Sequence, residues 1–242
     1  MKKTIVITGA SRGIGKAIAI ELAGKDTNIV INCVNNVDKL NEVKSIIEEK
    51  GSVCETFIGD MGNYSDVQKM FDMCLQRFGQ VDVLINNAGI SVVGLFQDMG
   101  ENEWHRICNT NIDSVFNCCH FAVKDMMKRH CGKIINISSV WGLYGASCEV
   151  AYSATKGAVN SFTKALAKEL APSGIQVNAV ACGAIDTEMN GHLSDDDKAS
   201  LAEEIPAGRF GTPQEVADFI VQLINSPAYL TGQIIGLDGG YI

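Results

Sequence analysis

Within its first fifteen residues the chain passes from an apolar stretch, Thr4-Ile5-Val6-Ile7-Thr8, into the turn Gly9-Ala10-Ser11-Arg12-Gly13-Ile14-Gly15, and a helical pattern begins at once. Glycines allow a tight turn and close approach of backbone to a ligand, and the following helix aims its unpaired N–H groups and positive dipole end at the same place. Strand, glycine turn and helix in this order suit a pyrophosphate. A glycine-rich turn alone also fits a plain strand-to-helix connection, so its weight comes from the strand before it and the helix after it.

The rhythm then repeats. Short apolar runs predict strands over 4–8, 28–33, 52–58, 83–86, 133–138, 176–181 and 234–237, alternating with helical patterns over 38–50, 65–78, 103–129, 151–170 and 214–225. Repeated βα units predict an α/β fold, a single Rossmann-type doubly wound domain with a seven-stranded parallel sheet. At 242 residues and 46% hydrophobic the chain can bury one substantial core, and no repeat or linker divides it, so residues 1–242 are read as one domain. The irregular stretch 183–211 follows the sixth strand, where a mobile substrate lid is expected, although a surface insertion fits as well. Inside it Ser194, three residues before Asp197, is an N-cap candidate for a short helix.

A net charge of −8 excludes a nucleic-acid surface and disfavours acidic partners unless a local basic patch exists. Nine cysteines form no CxxC pair and four histidines lack ligand spacing, so no metal is expected. The odd cysteine count reads as reduced thiols rather than a disulfide framework. The opening MKKTIVITGA is apolar for too few residues to be a signal core or a membrane span, so a cytoplasmic protein without a membrane partner is expected.

Tyr152 and Lys156 lie four apart on one predicted helix, so their side chains share a face. A tyrosine hydroxyl is a poor acid–base group at neutral pH, and a nearby ammonium is expected to lower its pKa. Ser139 stands at the end of the fifth strand, at the carboxyl edge where open sheets place ligands, and its hydroxyl can polarise a carbonyl.

Four motifs in this order carry a resemblance to the short-chain dehydrogenase/reductase family: the TGxxxGxG spacing of Thr8 to Gly15, Asn86-Asn87-Ala88-Gly89, Asn109-Thr110-Asn111, and Ser139 thirteen positions before Tyr152-xxx-Lys156. The resemblance spans the chain from Thr4 to Asp238-Gly239-Gly240. It implies a nicotinamide cofactor held by Gly9, Ser11, Arg12, Gly13, Ile14, Gly15, Asp60, Asn87, Ala88, Gly89, Ile185 and Thr187, with Tyr152 and Lys156. Catalysis would fall to Asn111, Ser139, Tyr152 and Lys156, with Asn111 sustaining a proton-relay water and Lys156 holding the nicotinamide ribose. The second strand ends in Asn32-Cys33-Val34-Asn35-Asn36 with no acid before Asp38, and Arg12 supplies a cation. A ribose 2′-hydroxyl would want a carboxylate there and a 2′-phosphate a cation, so NADP is expected. A non-catalytic NADP-binding sensor would be expected to lose Ser139, Tyr152 or Lys156, and none is lost.

Within the family, Gly208-Arg209-Phe210-Gly211-Thr212-Pro213 and Glu215-Val216-Ala217 resemble the 3-oxoacyl-acyl-carrier-protein reductase branch, which implies a carrier-attached ketone and docking of acyl carrier protein. Ser173 replaces an arginine common there, while Lys128, Arg129 and His130 keep some positive charge. A second resemblance, in Ser139-Val140-Trp141-Gly142 and Gly145 to Val150, is to the reductases of a 5-aminopentanone group on elongation factor P. Trp141 and Glu149 would then border the substrate, a carboxylate suiting an amine, although a solvent-exposed loop acid fits Glu149 as well. One departure is Cys182, where the family has proline before Gly183. A freed φ implies a less rigid connection to the lid, and the thiol is read as buried and inert rather than reactive. The helices over 103–129 and 151–170 carry apolar residues on more than one face, among them Ala154, Ala158, Phe162 and Leu166. This fits a wholly intramolecular core, while in the family such helices form dimer and tetramer interfaces, so the resemblance implies a homotetramer.

Overall fold

Apolar, largely β-branched runs form seven strands: β1 (Lys3–Ile7), β2 (Thr27–Cys33), β3 (Val53–Ile58), β4 (Val83–Asn86), β5 (Gly132–Ser139), β6 (Ile175–Cys182) and β7 (Ile234–Leu237). They belong to a computed structural model that describes residues 2–191 and 193–242. Met1 and His192, the latter inside the expected lid, lie outside the described residues. The helices are α1 (Gly13–Glu21), α2 (Val37–Glu49), α3 (Tyr64–Phe78), α4 (Glu101–Cys108), α5 (Ser114–Arg129), α6 (Trp141–Tyr144), α7 (Val150–Leu170), α8 (Asp195–Glu204) and α9 (Pro213–Ile224).

Every strand pair is parallel, in the order β3-β2-β1-β4-β5-β6-β7. Parallel neighbours need helical crossovers, which cover both sheet faces, and central strands therefore read as unbroken apolar runs. All four residues of β4 and all eight of β6 are buried. Alternate side chains feed two separate cores. Ile5, Ile7, Ile29, Ile31, Val83 and Ile85 point to the face covered by α1, α2 and α9. Val6, Val30 and Leu84 point to the face covered by α3, α5 and α7. The expected doubly wound sheet is the one observed.

The chain runs outward from β1 to β3 and returns to place β4 on the other side of β1, so the strand order reverses between β1 and β4. A crevice opens at such a reversal, at the carboxyl ends of the strands. The glycine turn, Asn86 to Gly89 and Ser139 all lie at that edge.

Two expectations need correction. The single helix over 103–129 is in fact α4 and α5 joined by a π turn at Asn109–Asp113. Polar Asn109, Thr110 and Asn111 are weak helix formers, and the wider turn leaves Asn111 wholly buried. The looser connection expected from Cys182 is not found either. β6 continues through Cys182, which is in register with Ser139 on one side and Leu237 on the other, and its carbonyl accepts from Val140 N–H at 3.0 Å. In the stretch 183–211, Ser194 and Asp197 form the reciprocal cap of α8, as their spacing predicts.

Candidate active site

The phosphate turn is shaped by close approach. Gly9 sits at φ +64°, and a Cβ on Gly15 would fall 2.4 Å from both the Gly9 carbonyl and Asn87 Nδ2. No other residue fits at Gly15 without displacing backbone. Asn87 Nδ2 donates to the carbonyls of Thr8 (3.0 Å) and Gly9 (2.9 Å), and Thr8 Oγ1 accepts from the N–H groups of Asn87 and Ala88, both at 3.0 Å. The two motifs thus form one clamp. Asn86 points the other way, donating to Asn136 Oδ1 at 2.8 Å, and Asn136 donates to Thr163 Oγ1 on α7.

A cleft of about 420 Å³ runs along this edge. Gly9, Ser11, Arg12, Gly13, Ile14, Asp60, Asn87, Ala88, Gly89 and Thr187 line it. Gly15 acts behind the lining, through the close approach. Asp60 accepts from Gly62 N–H (2.9 Å) and from Asn109 Nδ2 (3.2 Å), which fixes its carboxylate at the wall. Ile185 does not line the cleft: its side chain is buried in the α1/α9 core and its carbonyl accepts from Asn190 Nδ2 at 2.8 Å. At the end of β2 the lining is Val34, Asn35 and Asn36, without an acid. Arg12 is paired with Glu188 at 2.6 Å, and Lys39, on α2, reaches the same carboxylate at 2.9 Å. Neither Lys39 nor Glu188 follows from the motifs, although Lys39 is the first cation after the acid-free strand end. An adenine dinucleotide fits this cradle: the glycine turn and the N-terminus of α1 face its pyrophosphate, and cations lie at the ribose end.

Ser139, Tyr152, Lys156 and Asn111 come together at the inner end. Ser139 Oγ accepts from Trp141 N–H at 3.2 Å, and its hydroxyl is hydrogen-bonded with that of Tyr152. Lys156 Nζ lies 5.6 Å from the centroid of the Tyr152 ring and donates to the Ile137 carbonyl at 2.8 Å. Asn111 accepts from Ile90 N–H (2.8 Å) and donates to the Ile90 carbonyl (2.9 Å) and Thr155 Oγ1 (3.1 Å). It therefore binds the segment after β4 to α7. A Cβ on Gly89 would lie 3.4 Å from Asn111 Oδ1 and 3.5 Å from Lys156 Nζ, so Gly89 marks where these groups meet.

The electrostatics differ from the expectation. Burial pushes the Tyr152 hydroxyl above its ordinary range, the Ser139 hydrogen bond draws it partly back, and Cys182 and Glu149 add to the rise. Burial also pushes Lys156 down to about 8. The lowering of Tyr152 expected from Lys156 is not found, and loss of solvent sets the direction for both groups. Cys182, buried beside Lys156, has its thiol pushed up to about 12 by burial, as an inert cysteine should.

Glu149 precedes α7, and its Oε1 accepts from Ser91 Oγ at 2.5 Å. It is near enough for its charge to act on Tyr152. Ser91, which the sequence does not single out, also lines the cleft. Trp141 meets the ring of Tyr241 edge-on at 5.7 Å. Both residues expected beside the substrate therefore flank Ser139 and Tyr152. Lys128, Arg129 and His130 sit instead just before β5, at the opposite sheet edge from Ser139 in the same chain. Arg129 is taken up by Asp82 and Asp125, each at 2.9 Å.

The family model for short chain dehydrogenases matches residues 3–198. The 3-oxoacyl-[acyl-carrier-protein] reductase of Staphylococcus epidermidis is 40% identical over 241 residues, covering 99% of both chains. Its counterpart in Staphylococcus aureus is 39% identical, over 99% of this chain and 98% of its own. That of Chlamydia muridarum is 36% identical, over 99% and 97%. The clamped glycine turn, the cleft at the strand-order reversal and the group around Tyr152 agree with these matches: the chain belongs to the short-chain dehydrogenase family and is a nicotinamide-dependent oxidoreductase acting between CH–OH and C=O groups.

Proposed function

We propose that the protein is an NADPH-dependent reductase of a 3-oxoacyl group carried on acyl carrier protein. The observation that carries the chemistry is the hydrogen bond between the Ser139 and Tyr152 hydroxyls, with Lys156 Nζ over the tyrosine ring. The nicotinamide, when bound, supplies the hydride. A ketone oxygen set between the two hydroxyls replaces their mutual bond and accepts from both, which polarises the carbonyl. Tyr152 then donates its proton to the developing alkoxide. Its raised pKa keeps it a protonated phenol at neutral pH, the form that reduction requires. Trp141 N–H holds Ser139 Oγ in place. Asn111 fixes Ile90 against α7 and so aligns the cleft with Tyr152, and the role assigned to it is upkeep of the proton-relay water beside Lys156.

NADPH rather than NADH is supported by the acid-free end of β2 and by Arg12 and Lys39 beside it. The stretch 183–211, which carries α8 and the cleft-lining Thr187, serves as the lid, and the contact assigned to Ile185 falls to its backbone. The carrier substrate is supported by the printed activity of relatives at 40% identity. A homotetramer is supported by exposed Phe116, Ala154 and Ala158 on α5 and α7. No described helix is long and apolar enough to cross a membrane, and we assign the protein to the cytoplasm.

One observation favours a second substrate. Glu149 places a carboxylate beside Ser91 at the cleft, where the ammonium of a 5-aminopentanone group on elongation factor P would find an anionic partner. NADPH oxidation should be compared on a 3-oxoacyl carrier thioester and on aminopentanone-modified elongation factor P. Turnover of the thioester alone removes the second substrate, turnover of the modified factor alone removes the first, and turnover of neither sinks the reductase reading of this site.

A further inference from the structure

Three separate elements meet at the outer end of the cleft. Arg12 comes from the glycine turn, Lys39 from the first turn of α2, and Glu188 from a 3-10 turn over Glu188–Asn190 in the stretch 183–211. Each carboxylate oxygen takes one cation: Arg12 Nη1 is 2.6 Å from Oε2 and Lys39 Nζ is 2.9 Å from Oε1. Arg12 and Glu188 line the same wall as Val34, Asn35 and Asn36, where the acid that would mark a ribose 2′-hydroxyl is missing. The two cations hold the Glu188 carboxyl below the usual carboxylate range, so it is ionised at neutral pH.

We infer that Glu188 is an internal competitor for the cofactor's 2′-phosphate and so sets how strongly the enzyme prefers NADPH over NADH. The inference rests on the reading of this end of the cleft as an NADPH site. A phosphate monoester carries a charge of about −1.5 to −2 at neutral pH and offers three acceptor oxygens, so it displaces a single carboxylate from Arg12 and Lys39. It cannot share them, because two anions on one cation pair repel at this separation. The neutral 2′-hydroxyl of NADH displaces nothing. Glu188 therefore costs affinity for the phosphorylated cofactor alone. All three side chains are about half exposed, and exposed ion pairs are individually weak, so the expected cost is about two- to tenfold in Kd.

The test measures Kd for NADPH, NADH and the fragments adenosine 2′,5′-bisphosphate and adenosine 5′-phosphate, by fluorescence or calorimetric titration, at low and high salt. Glu188→Gln is expected to tighten NADPH and the bisphosphate about two- to tenfold, with NADH and the monophosphate within twofold, and the gain should shrink in salt. Lys39→Met is expected to weaken the two 2′-phosphorylated ligands and spare the others. Unchanged NADPH affinity in Glu188→Gln, equal gains for all four ligands, or no effect of Lys39→Met would overturn the inference while leaving a wild-type NADPH preference intact. A wild-type protein that binds adenosine 2′,5′-bisphosphate no better than the monophosphate would instead remove the NADPH reading, and the inference with it.

Discussion

Tyr152 and Lys156 are both held away from their charged forms by loss of solvent, one raised and the other lowered to about 8. A phenol that stays protonated is a ready proton donor for reduction, and replacing it should show as lost chemistry with binding intact. Tyr152→Phe is expected to lower kcat by about 10²–10⁴-fold with the Kd for NADPH changed less than threefold, and retained turnover of ketones would refute the assignment. For Lys156 the folded pKa lies below that of the unfolded chain. Between about 8 and the ordinary lysine value the unfolded chain holds more protons, so this residue makes stability rise with pH in that window and contributes its full penalty below it. The stability of the wild type relative to Lys156→Met, from urea unfolding, should therefore increase from pH 8 to pH 10 and stay level from pH 6 to pH 7. A flat difference throughout would show that Lys156 is not desolvated.

At the level of elements, α9 and the π turn between α4 and α5 make a useful contrast. Thr212 caps α9, accepting from Glu215 N–H at 3.2 Å while Glu215 returns to Thr212. Thr212→Ala should cost about 1 kcal/mol of stability and leave kcat unaltered. Asn111, wholly buried in the π turn, leaves Ile90 N–H and C=O without their partners when truncated. Asn111→Ala should cost about 1–3 kcal/mol and also lower kcat more than NADPH binding; a loss of stability alone would reduce Asn111 to scaffolding. The same contrast separates what could be read from the chain and what could not. Strands, the glycine turn and the α8 cap are local patterns, and each appears within a residue or two of its expected place. The π turn interrupts a helical pattern whose polar and apolar residues do not announce a wider turn. Cys182 extends β6 because of neighbours on both sides, which its own φ freedom does not reveal. Arg12, Lys39 and Glu188 meet across 176 and 149 residues of sequence, and Ser91 meets Glu149 across 58. Motif spacing places residues in one segment, whereas such pairs depend on how segments close over one another.

On the scale of the whole molecule, burial is complete in β4 and β6 but not on the outer surface of α5. Phe116 is 50% exposed, and it stands 5.8 Å from His120, which meets Phe121 edge-on, beside Tyr64. Ala154 and Ala158 of α7 are exposed as well, and small side chains allow close approach of another helix. Exposed aromatic and small aliphatic side chains of this kind mark an interface more often than a solvated face. The net charge of −8 opposes self-association through charged faces, which leaves such an apolar face as the favourable contact. Lys128 and His130 bear on such an assembly, because residues at the far sheet edge of one chain can serve the cleft only of another. Light scattering at micromolar concentration should give about four chain masses for the wild type, and Phe116→Glu should lower it to two or one while the isolated chain keeps its helical circular dichroism. A monodisperse wild-type monomer would sink the tetramer, and would also confine any carrier-docking surface to the residues around the chain's own cleft.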